Sequence, residues 1–162
     1  MKKRFMQTDE LGTLWYDYVL IEDAIPEFFI AIDSNQNRYL AVLAVEDYTY
    51  ILTKISLADV RELIHGAISM AEPFLKYPTV YCLTCQTQPA SITILKSKTL
   101  SSEQIPAEDA IFECDEDDIA YIDKLSTASN ISSILSKLKS FCSKQLLSLI
   151  HISEPTRLRR IS

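Results

Sequence analysis

Arg38-Tyr-Leu-Ala-Val-Leu-Ala-Val-Glu46 is the stretch that decides the fold. In an extended chain successive side chains point to opposite faces, so Tyr39, Ala41, Leu43 and Val45 share one face and Leu40, Val42 and Ala44 the other. Both sets are apolar. A strand that offers water neither face is a central strand covered on both sides.

The pattern extends in both directions from this centre. Upstream, Glu27-Phe-Phe-Ile-Ala-Ile-Asp33 is a second strand, with Pro26 at its start. Only Ser34-Asn-Gln-Asn37 separates the two, so a tight hairpin is the economical connection. Before it, Thr13-Leu-Trp-Tyr-Asp-Tyr-Val-Leu-Ile-Glu22 is aromatic and branched, which predicts another strand. Downstream, Asp47 turns the chain into Tyr48-Thr-Tyr-Ile-Leu-Thr-Lys-Ile-Ser56, a further pairing partner.

At Ser56 the period changes. Leu57, Val60, Leu63 and Ile64 fall on one helical face, with Ser56 as N-cap, Asp59 in the first turn and Gly66 as the stop. Ser69 is placed to cap a second short helix, and Pro73 falls near its first turn, where a missing N–H costs little. β character returns in Thr79–Gln86 and Ser91–Lys98, joined by a turn over Thr87–Ala90. A short strand is expected at Ala110–Glu113, then a helix at Asp118–Leu125, a linker or cap at Ser126–Asn130, and an amphipathic helix. In that last helix Ile131, Ile134, Leu135, Leu138, Phe141 and Cys142 share one face.

The expected fold is therefore α+β. It has an antiparallel sheet of five to seven strands, two short helices inserted after the fourth strand, and C-terminal helices. Residues 1–11 are expected to be a flexible N-terminus and residues 12–125 a single globular domain. Residues 126–146 are expected to be an amphipathic helix, cut short at about Leu146.

Residues 147–162, LSLIHISEPTRLRRIS, hold the one cationic cluster outside the N-terminus. A basic amphipathic C-terminus that docks on a membrane or a partner is one reading; a solvated tail is another. The segment also resembles the translation of a transposon-end sequencing-library adaptor. Leu147–Arg157 match its constant part, Leu158–Arg160 the index, and Ile161-Ser162 the flow-cell end. The last reading fits both constant segments in one frame and makes the tail non-native. Setting aside Arg157, Arg159, Arg160 and Glu154 then takes 16 basic and 22 acidic residues to 13 and 21, a net charge of −8 instead of −6.

Composition excludes several function classes. The 162 residues are 48% hydrophobic, enough for one domain with a real core. Two glycines, Gly12 and Gly66, cannot build a glycine-rich phosphate loop, either of the dinucleotide-binding or of the P-loop kind. A negative net charge opposes nucleic-acid binding, which requires a basic surface. No run nears the roughly 18 apolar residues that cross a bilayer, and Gln7–Glu10 interrupt any signal peptide. The expectation is a cytoplasmic protein with reduced thiols, no cofactor, no membrane or nucleic-acid partner, and a protein as its partner.

Four features invite chemistry. Cys82-Leu-Thr-Cys85 has the spacing of a zinc or redox pair, but a strand sends residues three apart to opposite faces. Cys114 and Cys142 stand alone, so a four-ligand zinc set is missing and buried structural thiols are favoured. His65 could act as a general base, yet a cation at a helix C-terminus already has a structural reason. The run Glu113-Cys-Asp-Glu-Asp-Asp118 could hold Mg²⁺ or Ca²⁺, although acids entering a helix are favoured by its dipole anyway. No catalytic or metal-ligating residue is assigned. The fourth feature is aromatic: Trp15, Tyr16, Tyr18, Tyr48 and Tyr50 form the candidate interaction surface, weighed against core packing.

Pro26–Leu43 (P-x-F-F-x-A-x-D…N-R-Y-L-A-V-L), Tyr50–Phe74, Ile105-Pro106 and Ile119–Leu125 together resemble a family of small bacterial domains of unknown function. Those domains share a Pro…Phe…Asp…Gly…Tyr-Leu hairpin, a two-helix segment and a late Leu-Pro turn. Asn37 stands where their hairpin glycine is common, and Glu72-Pro73 where Asp-Ala is. The resemblance implies the fold and carries no functional residue. Two functions are weighed from these features. The first is a non-enzymatic interaction or regulatory module of a bacterial or phage operon. The second is a small metal-dependent hydrolase or nuclease using residues 113–118, which convergence of those acids with His65 would favour.

Overall fold

The computed structural model describes residues 2–44, 48–86 and 88–152. Seven strands form one antiparallel meander: β1 (Arg4–Thr8), β2 (Gly12–Glu22), β3 (Pro26–Ile32), β4 (Arg38–Ala44), β5 (Thr49–Ile55), β6 (Thr79–Thr84) and β7 (Ser91–Lys96). Each strand pairs with its sequence neighbours, so β4 lies at the middle of the sheet. Among the described residues three α-helices accompany them, α1 (Leu57–Ile64), α2 (Glu72–Lys76) and α3 (Glu116–Ile152), with a 3-10 turn at Ser97–Thr99. The α+β class and the antiparallel sheet are as the sequence predicts.

Both faces of β4 are covered, by different means. On one face Phe28, Ile30, Leu40, Ile51 and Val80 pack with Val60, Leu63 and Ile64 of α1, Phe74 of α2, Phe112, and Ile122 of α3. On the other, Leu14, Phe29, Ala31, Tyr39, Ala41, Tyr50, Leu52 and Leu83 form a second core that contains no helix residue. The sheet curls around this second core. Phe5 and Met6 of β1 and Ile92 of β7 pack against it, and Thr8 bridges Ala90, whose amide donates to the Gln7 carbonyl at 3.0 Å.

The connections are built from local chemistry. In the β3–β4 hairpin, buried Asp33 accepts from the amides of Asn35 (2.8 Å) and Asn37 (2.9 Å), from Asn37 Nδ2 (2.8 Å) and from the Tyr39 hydroxyl (3.2 Å). Burial would raise its pKa, but these donors outweigh it and hold the carboxyl below its ordinary value. Gln36 takes the left-handed conformation of the turn, at φ 65°. Helix α1 opens on a capping box, in which Ser56 Oγ accepts from the Asp59 amide (3.1 Å) and the Asp59 carboxylate from the Ser56 amide (3.3 Å). It stops at Gly66, at φ +67°. Before α2, Ser69 Oγ accepts from the Glu72 amide at 3.3 Å, and Pro73 sits in the first turn.

Four details differ from expectation. Residues 4–8 form β1 rather than part of a flexible N-terminus, because Phe5 and Met6 have apolar neighbours across the curl. Helices α1 and α2 consequently follow the fifth strand, not the fourth. Residues 110–113 are not a strand: Phe112 enters the helix-side core and Ala110 accepts from the Met70 amide at 2.8 Å, so the segment packs on the sheet's face instead of its edge. The expected linker at Ser126–Asn130 is helical. Residues 116–152 contain no Gly or Pro, and the Thr127 hydroxyl satisfies itself on the Asp123 carbonyl at 2.9 Å.

Two compact units divide within α3, the first ending at Ile122 and the second beginning at Asp123. Val45 of the expected central strand, the turn at Asp47, Thr87 of the β6–β7 turn and residues 153–162 of the tail lie outside the described residues. Among the described residues no helix is long and apolar enough to cross a membrane.

Candidate functional site

The five aromatic candidates do not form one surface. Tyr50 is buried (5% exposed) and donates to the Pro26 carbonyl at 3.1 Å. Its ring and that of Tyr16 join Phe5 and Phe29 in a cluster with centroids 4.8 to 5.5 Å apart, inside the curled face. Tyr18 is turned elsewhere. The β2–β3 register slips between Tyr16 and Tyr18, leaving Asp17 as the extra residue of a bulge. Tyr18 therefore stacks on Tyr121 of α3, with ring centroids 4.1 Å apart and planes 10° from parallel. Trp15 is half-buried on β2. Of the five, Tyr48 alone is well exposed, at 66% and φ 51°.

The bulge at Asp17 builds a polar joint that motif spacing does not reveal. Its carboxylate receives the Tyr121 hydroxyl at 2.8 Å and the Lys2 ammonium, with Arg38 Nε 3.6 Å away. Burial and the neighbouring Asp17 push the Tyr121 hydroxyl far above its ordinary pKa, so it stays a donor. A second joint gathers around Asp59, which accepts from Lys76 Nζ (2.6 Å), Ser56 Oγ (2.7 Å) and the Tyr77 hydroxyl. It ties the start of α1 to the end of α2.

The acidic run borders an open cleft of about 410 Å³. Tyr18, Ile21, Met70, Ile111 and Phe112 supply its apolar lining, and Glu113, Asp115, Asp117 and Asp118 its acidic part. Two of these four carboxylates, those of Asp115 and Asp118, are engaged by helix geometry. Asp115 accepts from the amides of Asp117 (2.9 Å) and Asp118 (3.0 Å), and the Asp118 carboxylate accepts from the Asp115 amide at 3.0 Å. That reciprocal cap starts α3, where negative charge meets the positive end of the dipole. Burial and a hydrogen bond to Asp118 push the Tyr18 hydroxyl above its ordinary range. His65 is not part of the cleft; it caps the C-terminus of α1 and is exposed. Among the described residues, no three His, Cys, Asp or Glu side chains come together in a way that could hold a metal ion.

Cys82 and Cys85 face opposite sides of the sheet, the first against the helix-side core and the second against the curled core. Burial raises both thiol pKa values, that of Cys85 to about 11, which suppresses thiolate chemistry.

A stripe of exposed apolar residues lies beyond Ile122. On α3, Ile131 (53%), Ile134 (57%), Leu135 (52%), Leu138 (53%) and Phe141 (60%) are more than half exposed. Isolated exposed leucines need no explanation; a stripe at helical spacing does. The sequence had marked this face as amphipathic, and its exposure is what periodicity could not reveal. No family model, no curated protein and no solved structure matches this chain.

Proposed function

We propose that the chain is a protein-interaction or regulatory module, not an enzyme, and that α3 is its docking element. The observation that carries this is the stripe of Ile131, Ile134, Leu135, Leu138 and Phe141, exposed at helical spacing. An amphipathic helix of this kind engages a partner by laying its apolar face into a groove, read as anchors at i, i+3, i+4 and i+7. The cleft beside α3's first turn supports the hydrolase alternative poorly, because Asp115 and Asp118 are engaged in the cap and His65 is elsewhere.

The resemblance to small bacterial domains accompanies this reading, as does the expectation of a cytoplasmic module of a bacterial or phage operon. Residues 147–162 are read as translated adaptor, so the interaction is assigned to residues before them. Resequencing of the source locus tests that part: continuous genomic DNA encoding His151–Arg157 would return the tail to the protein.

Affinity capture from the source cell, repeated reciprocally with whatever is recovered, tests the function. A partner lost on Leu138→Asp, with the thermal unfolding of the sheet unchanged, is the expected result. Equal recovery with Leu138→Asp, or hydrolytic turnover abolished by Asp118→Asn, would overturn it.

A further inference from the structure

The interaction reading fixes where a partner binds, and the charges around the stripe indicate what kind of partner it is. At 3.6 residues per turn, Ile131, Ile134, Leu135, Leu138, Phe141 and Cys142 fall within an arc of roughly 120°. Lys137 and Lys139, both exposed, fall just outside its two edges. From Lys124 to Ser143 the chain carries no acidic residue. The face opposite the stripe is rich in serine, with Ser129, Ser132, Ser136 and Ser140 exposed on it. Over Ile131–Cys142 the helix is thus apolar on one side, cationic at both borders and uncharged behind.

Three occupants could cover such a face. A second copy would pair the stripes as a coiled coil, but Ile131, Ile134, Leu138 and Phe141 make only about two heptads. Self-recognition of that kind takes roughly three to four. The lysines of two copies would also meet with no carboxylate between them. A helix lying in a bilayer surface is held there by a strongly charged polar face, whereas this one is mostly serine. A protein groove with an apolar floor and acidic rims meets every feature: the anchors enter the floor, Lys137 and Lys139 pair with the rims, and the serine face stays in water.

Resting on that interaction reading, we propose that α3 docks into an acid-rimmed apolar groove of a partner protein.

The test uses the full chain with Arg157, Arg159 and Arg160 changed to Gln, so that the tail adds no arginine. It is titrated against calcium-loaded calmodulin, a stand-in for an acid-rimmed groove that repacks around apolar helices. In parallel it is sedimented with phosphatidylglycerol–phosphatidylcholine vesicles and examined by sedimentation velocity. Expected are binding to calmodulin, a loss of about tenfold or more on Leu138→Asp, and weakening by added salt and by Lys137→Glu with Lys139→Glu. The chain should stay monomeric and off the vesicles. Failure to bind calmodulin overturns the assignment. A dimer abolished by Leu138→Asp also overturns it, but leaves the interaction module standing. Vesicle binding abolished by Leu138→Asp overturns both.

Discussion

The Tyr121 hydroxyl donates to Asp17 Oδ2 at 2.8 Å, joining α3 to the bulge of β2 across 104 positions of sequence. The same tyrosine stacks on Tyr18, the next residue of that bulge. Tyr121→Phe keeps the stack and removes one hydrogen bond, so it should cost about 1 kcal/mol in urea unfolding. Asp17→Ala should cost more, about 2–3 kcal/mol, because it leaves the buried Arg38 Nε without its nearest carboxylate. Equal losses for the two variants would mean that Arg38 gains nothing from Asp17.

Asp59 makes stability depend on pH at the acid end. Burial alone would raise its pKa, but hydrogen bonds from Lys76, Tyr77 and Ser56 bring it down from 3.8 to about 2. A folded pKa below the unfolded one stabilises the fold above the unfolded value, and that contribution disappears as pH falls through about 2. At 1.36 kcal/mol per unit the amount is about 2 kcal/mol. Denaturant unfolding between pH 5 and about 2 should show this loss in the wild type and a flatter profile in Asp59→Asn.

The two glycines allow backbone strain to be separated from contact. Gly12 and Gly66 both have positive φ, +69° and +67°. A Cβ on Gly12 would meet nothing within 4 Å, whereas one on Gly66 would lie 3.0 Å from Ile111 Cγ2. Gly12→Ala should therefore cost about 1 kcal/mol, the left-handed penalty alone. Gly66→Ala should cost more, since Ile111 must also give way. Matching midpoints in thermal unfolding would show that Ile111 yields freely.

The four cysteines should divide into two kinetic classes. Cys114 and Cys142 are exposed, while Cys82 and Cys85 are half-buried on opposite faces of the sheet with raised thiol pKa values. Reaction of the folded chain with an aromatic disulfide reagent should show two fast and two slow thiols, and Cys82→Ser should remove one slow equivalent. Mild oxidation should leave Cys82 and Cys85 unlinked, as mass spectrometry of a digest would show.

Much of the frame was legible because it is local. Alternation identifies Arg38–Ala44 as a strand covered on both sides, and Ser56, Asp59 and Gly66 bound α1 by chemistry within a few residues. What escaped depends on distant partners. Arg4–Thr8 is too short to show a period, and it becomes a strand only by pairing with β2. Ser126–Asn130 has the composition of a linker, but nothing in it breaks a helix that is already running. The aromatics show the limit most clearly. When both faces of a strand are apolar, alternation separates the faces without saying how deeply each is covered, and Tyr50, a surface candidate by sequence, lies inside. The bulge at Asp17 then shifts Tyr18 to the opposite side from Tyr16. The Asp17–Tyr121 and Asp59–Lys76 joints needed the tertiary fold to bring their ends together.

Strand order that follows sequence order bears on how the molecule assembles. Hairpins β1–β2 through β6–β7 each close over a short loop or, at β5–β6, over two short helices, so most pairings form between residues near one another in sequence. Pairing between sequence neighbours permits growth hairpin by hairpin, each step closing a short stretch of chain. The seam at Thr8 and Ala90 is different, because it joins the two ends of the meander and cannot form until the strands between them are in register. Closure of the curled core thus depends on all seven strands at once, whereas each hairpin depends only on its two.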